Sequence, residues 1–391
     1  MRNTVAWAVL TTLGTALLYV PAAAEDKPAG AAKEAATEPG PAAFSGFTEV
    51  KLFGGCRIPA IVVTNRGTLL AFCERRNTSS DSGDNDVWCK RSTDGGKTWS
   101  EAIVIDDDGR RTSGNPCPVV DRTTGTVWLG FGRDHVKRIM LTHSEDDGLS
   151  WAEPREITDR IKRPGWGPMM AFGPGHGIQL ESGRLLLPHN HARERDGASD
   201  EDPAGRHDHV IYSDDRGKTW KLGGIVPGTY TGENSITEMA DGSLYLNARA
   251  GGRAHGKRLI SRSRDGGLTW SLAEEAEGLT DPVQYGTGCQ ASVVRLTDEN
   301  RHDRNRVLFC NPGGEKREDL TLRISYDECE TWEKLKVLHA GRDASYSDMA
   351  VLPDMSIGLL YETNATGWHS IWFARFTLEW LTDGKDRIET K

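Results

Sequence analysis

Residues 92–99 carry the sequence STDGGKTW, and four further copies of this eight-residue pattern follow along the chain. The copies are SEDDGLSW at 144–151, SDDRGKTW at 213–220, SRDGGLTW at 263–270 and SYDECETW at 325–332. The last copy has Cys329 where the other four have glycine. Copies that recur about every 50–70 residues indicate one structural unit that is repeated through the chain.

The chemistry of this pattern predicts a turn. Aspartate can accept hydrogen bonds from nearby backbone amides, and glycine tolerates the left-handed backbone that tight turns require. The serine and threonine hydroxyls can tie the ends of the turn together, and the tryptophan is large enough to anchor it on a neighbouring strand. We therefore expect these boxes to be structural and not catalytic.

Six segments show the order apolar strand, turn, apolar strand, which predicts six hairpins. They are residues 60–73, 118–131, 177–188, 235–247, 291–310 and 348–361. Their second strands recur about every 58 residues, and few segments show a helical period. Six hairpins and five box-bearing hairpins indicate about six blades of four antiparallel strands each. The sequence therefore predicts an all-β fold, a six-bladed β-propeller with Asp-box turns.

The first 43 residues differ in composition from the rest of the chain. An apolar run over 5–20 that ends in small residues at 22–24 is typical of a secretory signal peptide, here 1–24. The run is short for a membrane span, which favours cleavage over a permanent anchor. Residues 25–43 are rich in Ala, Glu, Lys and Pro, which predicts a disordered linker. We expect a propeller domain over 44–391 in a secreted or periplasmic protein, without stable membrane insertion after cleavage.

Charge and cysteine content narrow the function classes. A net charge of −9 disfavours a broad nucleic-acid-binding surface. Seven cysteines are an odd number for an exported chain, and their spacing does not indicate a disulfide framework. Cys73 and Cys89 could pair if their strands were neighbours. No cysteine lies in a recognisable nucleophile motif, so we do not expect a catalytic thiol.

Three arginines flank the predicted hairpins and point to an anionic ligand. Arg57 begins the first hairpin in CRIP, Arg249 follows the fourth in LNAR, and Arg317 lies in KREDL. An arginine beside a buried strand needs an anionic partner to be tolerated there. Three guanidinium groups that converge would bind a carboxylate, because their geometry matches it bidentately and they stay charged at any working pH.

With these motifs the chain resembles the exo-α-sialidase (neuraminidase) family of the Asp-box, or BNR-repeat, retaining type, over residues 44–376. CRIP departs from the usual family motif at Cys56, but the arginine is present. The resemblance implies that Arg57, Arg249 and Arg317 hold the carboxylate of sialic acid. Sialylated glycans, as glycoproteins, glycolipids or oligosaccharides, would then be the partners.

The resemblance also implies three catalytic residues. Tyr346 in ASYSDM matches the nucleophile, Glu233 in TGENS matches the partner of that tyrosine, and Asp81 in SSDSGD matches the general acid/base. Asp84 is close enough in sequence to be the alternative to Asp81. A tyrosine suits this chemistry because a neutral phenol can approach an anomeric carbon that carries a carboxylate, and retention is the expected outcome.

Four further residues are candidates for the substrate rim: Asn115, Met170, His189 and His191. Met170 lies in a Gly/Pro-rich stretch (GWGPMMAFGPG) that predicts a loop before the third hairpin. The two histidines form a His-x-His pair that is followed by a second pair, His207 and His209. Such pairs can bind metal, but the family's mechanism needs no metal or other cofactor, and none is expected.

Two classes of alternative to hydrolysis remain open from the sequence. In the first, the same site transfers sialic acid to another sugar or releases an internally cyclised product. A propeller that binds glycans without turning them over belongs to a different class, and loss of Tyr346, Glu233 or Asp81 would have favoured it. All three are present.

Overall fold

The computed structural model describes residues 46–193, 205–228, 230–250, 256–283, 288–364 and 369–389. Within these ranges the chain forms 25 strands and two four-residue helices, α1 (Thr158–Ile161) and α2 (Leu378–Leu381). Neither helix of this described part has the length to cross a membrane. The predicted signal peptide (1–24) and linker (25–43) lie outside the described residues.

The strands, numbered in chain order, form six antiparallel sheets, the blades. The first strand, β1 (Phe47–Gly54), belongs to the last blade. Blades 1 and 2 consist, from the inner strand outward, of β2 (Cys56–Val63), β3 (Leu69–Arg76), β4 (Asn85–Ser92) and β5 (Ile103–Asp106), then β6 (Ser113–Val120), β7 (Val127–Arg133), β8 (Arg138–Ser144) and β9 (Arg155–Glu156). Blade 3 consists of β10 (Trp166–Phe172), β11 (Ile178–Gln179), β12 (Leu185–Arg193), β13 (Gly205–Ser213) and β14 (Lys221–Ile225).

The remaining blades follow the same order. Blades 4 and 5 consist of β15 (Thr231–Glu238), β16 (Leu244–Ala250), β17 (Lys257–Ser263) and β18 (Glu274–Thr280), then β19 (Ser292–Thr297), β20 (Arg306–Pro312), β21 (Glu318–Ser325) and β22 (Glu333–Asp343). Blade 6 consists of β23 (Ser347–Val351), β24 (Ile357–Thr363), β25 (Ser370–Phe376) and, outermost, β1. The inner strands of adjacent blades contact one another at most junctions, including that of β23 and β2 between blades 6 and 1, and β12 contacts β15 between blades 3 and 4. The predicted six-bladed propeller is confirmed.

The chain closes the ring with its first strand. β1 pairs with β25 from Phe47 opposite Phe376 to Gly54 opposite Ser370. The outer strand of blade 6 therefore comes from the other end of the domain. This explains why six blades carry five boxes: a box joins the third strand of a blade to the fourth, and in blade 6 these two strands are not consecutive in sequence.

Each box forms the turn that its residues predict. In the fourth box, Asp265 accepts hydrogen bonds from the Thr269 amide at 2.9 Å and the Thr269 hydroxyl at 2.6 Å. The Ser263 hydroxyl donates to the Asp265 carboxylate at 2.8 Å and accepts from the Gly267 amide at 2.9 Å. The other four boxes repeat this arrangement.

The box tryptophans pack against the preceding blade. Trp99 of blade 1 meets Phe373 of blade 6 edge-on at 5.1 Å between ring centroids, and Trp151 of blade 2 meets Phe72 of blade 1 at 5.8 Å. Trp220 of blade 3 continues the series on Trp128 of blade 2. The boxes therefore join neighbouring blades, as well as ending hairpins.

All seven cysteines are buried free thiols. Cys73 and Cys89 do lie on neighbouring strands, but Cys73 is opposite Trp88 and Cys89 is opposite Phe72. Successive residues of a strand point to opposite faces, so these two thiols face different sides of blade 1. The register therefore argues against the pairing of Cys73 with Cys89.

Candidate active site

The sequence-predicted site residues gather at one end of the blades. Arg57 and Glu233 lie near the start of inner strands, and Tyr346 directly precedes the inner strand β23. Arg249 lies near the end of a second strand, and Arg317 directly precedes a third strand. In an antiparallel blade these positions share one edge, whereas the boxes join the third and fourth strands at the opposite edge.

Backbone bulges shape this edge of the inner strands. The pairing register of the inner strand shifts around Ile58 in blade 1, Asn115 in blade 2 and Glu233 in blade 4. Each of these residues has a left-handed φ of 54–58°, a conformation that costs about 1–3 kcal/mol for a residue other than glycine. Buried carboxylates stabilise two of the bulges, because Glu362 accepts the Ile58 amide at 2.6 Å and Glu74 accepts the Asn115 amide at 3.2 Å.

Tyr346 and Glu233 form the centre of the cluster. The Tyr346 hydroxyl donates to Glu233 Oε1 at 2.6 Å. Arg249 Nη1 lies 2.5 Å from Glu233 Oε2 and 3.3 Å from the Tyr346 oxygen. The phenol is 6% exposed, so it is screened from solvent on most sides.

Burial and charge set the protonation states of this pair. Burial alone would raise the pKa of Glu233, but the charge of Arg249 and the hydrogen bonds from Tyr346 and Arg249 outweigh it and lower that pKa to about 2. Burial and the charge of Glu233 raise the pKa of the Tyr346 phenol above its usual value, against the opposing effect of the arginines. At neutral pH the pair is therefore a carboxylate that accepts a hydrogen bond from a neutral phenol.

Arg57 and Arg317 approach the same tyrosine from other blades. Arg57 Cζ lies 5.0 Å from the centroid of the Tyr346 ring, and Arg317 Cζ lies 5.7 Å from it. Glu362 accepts both Nε and Nη2 of Arg57 at 3.2 Å. Arg317 Nη2 donates to the Gly288 carbonyl at 2.9 Å. The three predicted arginines thus converge on one phenol.

Asp81 lies in the loop between β3 and β4, at the rim of this cluster. Its side chain is 69% exposed, and Oδ1 is 2.7 Å from Arg76 Nη1 and 3.7 Å from Arg57 Nη1. Arg76 is itself held by Glu74, which accepts Nε at 2.7 Å. The exposed carboxylate is therefore tethered beside Arg57 while it stays open to solvent.

A cavity of about 350 Å³ lies between Arg57 and Arg317, and its wall includes Ser345, Glu362 and His369. A larger cavity of about 770 Å³ lies elsewhere and is lined by the ends of the inner strands, with Ile61, Val119 and Ile178 in its wall. None of the predicted arginines, acids or the tyrosine lines the larger cavity. The chemistry therefore identifies the smaller, polar cavity as part of the candidate site.

The predicted rim residues differ in their placement. Asn115 is half-buried on the bulge of β6, at the same edge as the arginines. Met170, His189 and His191 are fully buried inside blade 3 and do not form an exposed rim. The stretch around Met170 is a strand, β10, and not a loop. It pairs with β12, which carries His189 and His191, so all three side chains are enclosed by the sheet and its neighbours.

The histidines form a packed cluster. His209 contacts both His189 and His191 through ring nitrogens, at 3.0 and 3.1 Å, and Trp166 stacks on His191 with centroids 3.5 Å apart. Burial lowers the pKa of His189 to about 3 and the pKa of His191 to about 2, so both rings are neutral at ordinary pH.

Three residues of the site have no counterpart in the sequence analysis. Glu362 holds Arg57 and Ile58, Glu74 holds Asn115, and Arg76 holds Asp81. The sequence pattern that could have identified them is a charged residue at the end of an apolar second strand, as in LLYET and LLAFCERR.

Comparison with known proteins places the chain in a family. The BNR repeat-like domain family matches residues 67–361. The sialidase of Micromonospora viridifaciens is 35% identical over 84% of this chain, which spans 52% of that protein. The exo-alpha-sialidase of Aspergillus fumigatus is 30% identical over 85% of this chain and 86% of its own length. Among solved structures, the Hadza microbial sialidase Hz136 matches with a TM-score of 0.72 and 28% identity over 84% of this chain and 66% of that one.

The chain thus spans about half the length of the bacterial relative and most of the fungal one. On the family match and the similarity to these relatives, the chain belongs to the sialidase family and carries its BNR-repeat propeller.

Proposed function

We propose that this protein is an exo-α-sialidase that hydrolyses terminal sialic acids from glycoconjugates with retention at the anomeric carbon. The observation that carries the proposal is the convergence of Arg57, Arg249 and Arg317 on the hydrogen-bonded pair Tyr346–Glu233. Relatives named sialidase and exo-alpha-sialidase support the substrate class. A secreted or periplasmic location is part of the proposal and rests on the N-terminal sequence pattern.

Binding is the first task of the arginines. A sialoside carries its carboxylate on the anomeric carbon, so a carboxylate held by the three guanidinium groups brings that carbon close to the Tyr346 oxygen. Partial burial strengthens these charge-assisted hydrogen bonds relative to those in water. Positioning of this kind converts a bimolecular encounter into an oriented one.

Bond formation then requires the tyrosine proton to leave. The phenol has a raised pKa and Glu233 a low one, so a free phenolate is unfavourable in the resting site. Proton transfer from Tyr346 to Glu233 therefore accompanies attack of the phenolic oxygen on the anomeric carbon. Asp81 donates a proton to the leaving oxygen, and the aglycone departs.

The second step reverses these roles. Asp81, now a carboxylate at an exposed position, takes a proton from water, and the water oxygen attacks the anomeric carbon. The bond to Tyr346 breaks and the phenol regains its proton from Glu233. Two displacements give net retention. The contacts of Asp81 with Arg57 and Arg76 favour it over Asp84 for this role.

The experiment compares the wild type with Tyr346→Phe, Asp81→Ala and the matched control Asp84→Ala. With an aryl α-sialoside we expect Tyr346→Phe to lose at least about 10³-fold in kcat/KM. Asp81→Ala should lose about 10²–10⁴-fold on sialyllactose, and less on the aryl substrate, whose leaving group needs little protonation. Asp84→Ala should retain near wild-type rates.

Proton NMR of the first-formed sugar tests the stereochemistry and separates hydrolysis from transfer or an internally cyclised product. Absence of turnover by the wild type between mildly acidic and neutral pH would contradict the enzyme proposal. Binding without turnover would favour the non-catalytic glycan-binding alternative.

A further inference from the structure

A buried ion pair lies next to the backbone segments that carry Arg249 and hold Arg317. The proposed mechanism does not use this pair. Arg258 on β17 and Asp281 after β18 have fully inaccessible side chains. Arg258 Nη1 lies 3.3 Å from both carboxylate oxygens of Asp281. Desolvation of two charges can cost as much as their attraction returns, so stability alone is a weak reason for such a pair. Its contacts indicate another role.

Asp281 holds the backbone next to two site arginines. Its Oδ2 accepts the amide of Ala250 at 3.3 Å, and Ala250 directly follows Arg249. Its Oδ1 accepts the amide of Cys289 at 2.9 Å. Cys289 follows Gly288, whose carbonyl accepts Arg317 Nη2 at 2.9 Å. One carboxylate thus connects the backbone at Arg249 with the backbone that holds Arg317.

Arg258 connects the same two segments. Its Nε donates to Asn247 Oδ1 at 2.7 Å, and Asn247 lies two residues before Arg249 on β16. Its Nη1 also donates to the carbonyl of Cys289. The guanidinium and the carboxylate therefore act as one rigid link between blade 4 and the segment that precedes blade 5.

Gly288 fits closely against this link. Its φ is +66°, and a Cβ at this position would lie 2.3 Å from Asp281 Oδ2. A side chain there would therefore displace either the Asp281 carboxylate or the Gly288 carbonyl that binds Arg317. The close approach ties the position of Arg317 to that of Asp281.

We propose that Asp281, held by Arg258, is a positioning residue that sets the spacing of Arg249 and Arg317 for the substrate carboxylate. The inference rests on the proposed function, since recognition of that carboxylate is what the spacing serves. Asp281 accepts backbone amides on two separate segments, so it affects the positions of the two arginines and not their charge. Bidentate recognition of a carboxylate depends on such geometry.

The test is Asp281→Asn, with Asp386→Asn as the matched control. Arg306 and Asp386 form another buried ion pair, at 2.7 Å with 0% and 7% exposed side chains, and neither residue touches the site. Two inhibition constants are measured for each protein, those of 2,3-didehydrosialic acid and of its methyl ester, which lacks the anion. KM and kcat for the aryl α-sialoside are measured alongside.

We expect Asp281→Asn to weaken inhibition by the acid about 10- to 100-fold, to raise KM, and to leave inhibition by the ester within about twofold. Asp386→Asn should lower the melting temperature and leave both inhibition constants unchanged. Gly288→Ala keeps both charges of the link and should weaken inhibition by the acid but not by the ester. If Asp281→Asn does not fold, this variant tests the positioning role in its place.

Unchanged acid inhibition in folded Asp281→Asn or Gly288→Ala would overturn the positioning role, and so would an equal loss for acid and ester. A wild type that neither turns over the sialoside nor binds the acid would instead contradict the proposed function. The two failures are therefore distinguishable.

Discussion

Glu233 illustrates how single residues at this site depend on their neighbours. The pKa of this half-buried carboxyl is lowered to about 2, since the charge of Arg249 and the hydrogen bonds from Tyr346 and Arg249 outweigh the loss of hydration. A folded-state pKa below the unfolded value contributes stability that is fully present above the unfolded pKa. That contribution is lost as pH falls from about 4.5 toward 2.

Glu233→Gln tests this assignment. We expect the variant to have a lower free energy of unfolding than the wild type at pH 7, because Arg249 loses its counter-charge. The difference should narrow at pH 3, because there the carboxyl of the unfolded chain is protonated while that of the folded wild type is still mostly ionised, so part of its contribution to stability is lost. Urea unfolding at both pH values measures it, with the exposed Glu145→Gln as the control. A difference of equal size at pH 7 and pH 3 would contradict the low pKa.

The site residues that belong to short local motifs can be predicted from the sequence. Arg57 in CRIP and Tyr346 in ASYSDM are of this kind. Sequence reasoning did not find Glu362, which binds Arg57 across 305 positions of the chain, because no local pattern records that contact. It also placed His189 and His191 at the rim, since a His-x-His pair looks the same in sequence whether its strand face is open or covered.

Each Asp box is a turn that also contributes to the packing between blades. In the fourth box Asp265 accepts three hydrogen bonds from the residues just before Trp270, and Trp270 packs in the core shared by blades 3 and 4. The turn thus fixes the tryptophan, and the tryptophan fixes the neighbouring blade. All of these contacts lie at the edge opposite the site.

Asp265→Ala should therefore reduce stability without changing catalysis. We expect a loss of about 1–2 kcal/mol in the free energy of unfolding, because charge-assisted hydrogen bonds are removed at a partly exposed turn. KM and kcat for the sialoside should remain unchanged well below the melting temperature. A selective rise in KM in a fully folded variant would contradict the structural role of the box.

Elements that depend on residues adjacent in sequence were predicted, and elements that depend on distant contacts were not. Boxes and hairpins were predicted correctly, since their turn residues and alternating apolar positions are adjacent in sequence. β10 was not predicted, because its stretch is rich in Gly and Pro and was interpreted as a loop. The bulges at Ile58 and Asn115 were also not predicted, since the carboxylates that stabilise them, Glu362 and Glu74, come from other strands.

For the whole molecule, closure of the ring depends on β1. Its pairing with β25 joins residues more than 300 positions apart, so the sequence predicted six blades but not which strand completes the last one. Leu52 and Phe53 of β1 are buried in the core between blades 6 and 1. Their burial alone contributes about 3–6 kcal/mol, a large fraction of the stability of a domain.

Two N-terminal truncations test this closure. A chain that begins at Phe44 keeps β1 and should unfold in one cooperative transition. A chain that begins at Gly55 lacks β1 and should lose that transition or melt at a much lower temperature, because blade 6 has an unpaired edge and an exposed core. Circular dichroism melts measure both. Equal melting temperatures would contradict closure by β1.

The nucleophilic role of Tyr346 is tested by trapping the covalent intermediate with 2,3-difluorosialic acid and mapping the adduct by peptide mass spectrometry. We predict one 3-fluorosialyl group per chain, attached to the oxygen of Tyr346 with loss of the fluoride from the anomeric carbon, and none on Tyr346→Phe. An adduct on Glu233 or Asp81, or full turnover of a sialoside by Tyr346→Phe, would contradict that role.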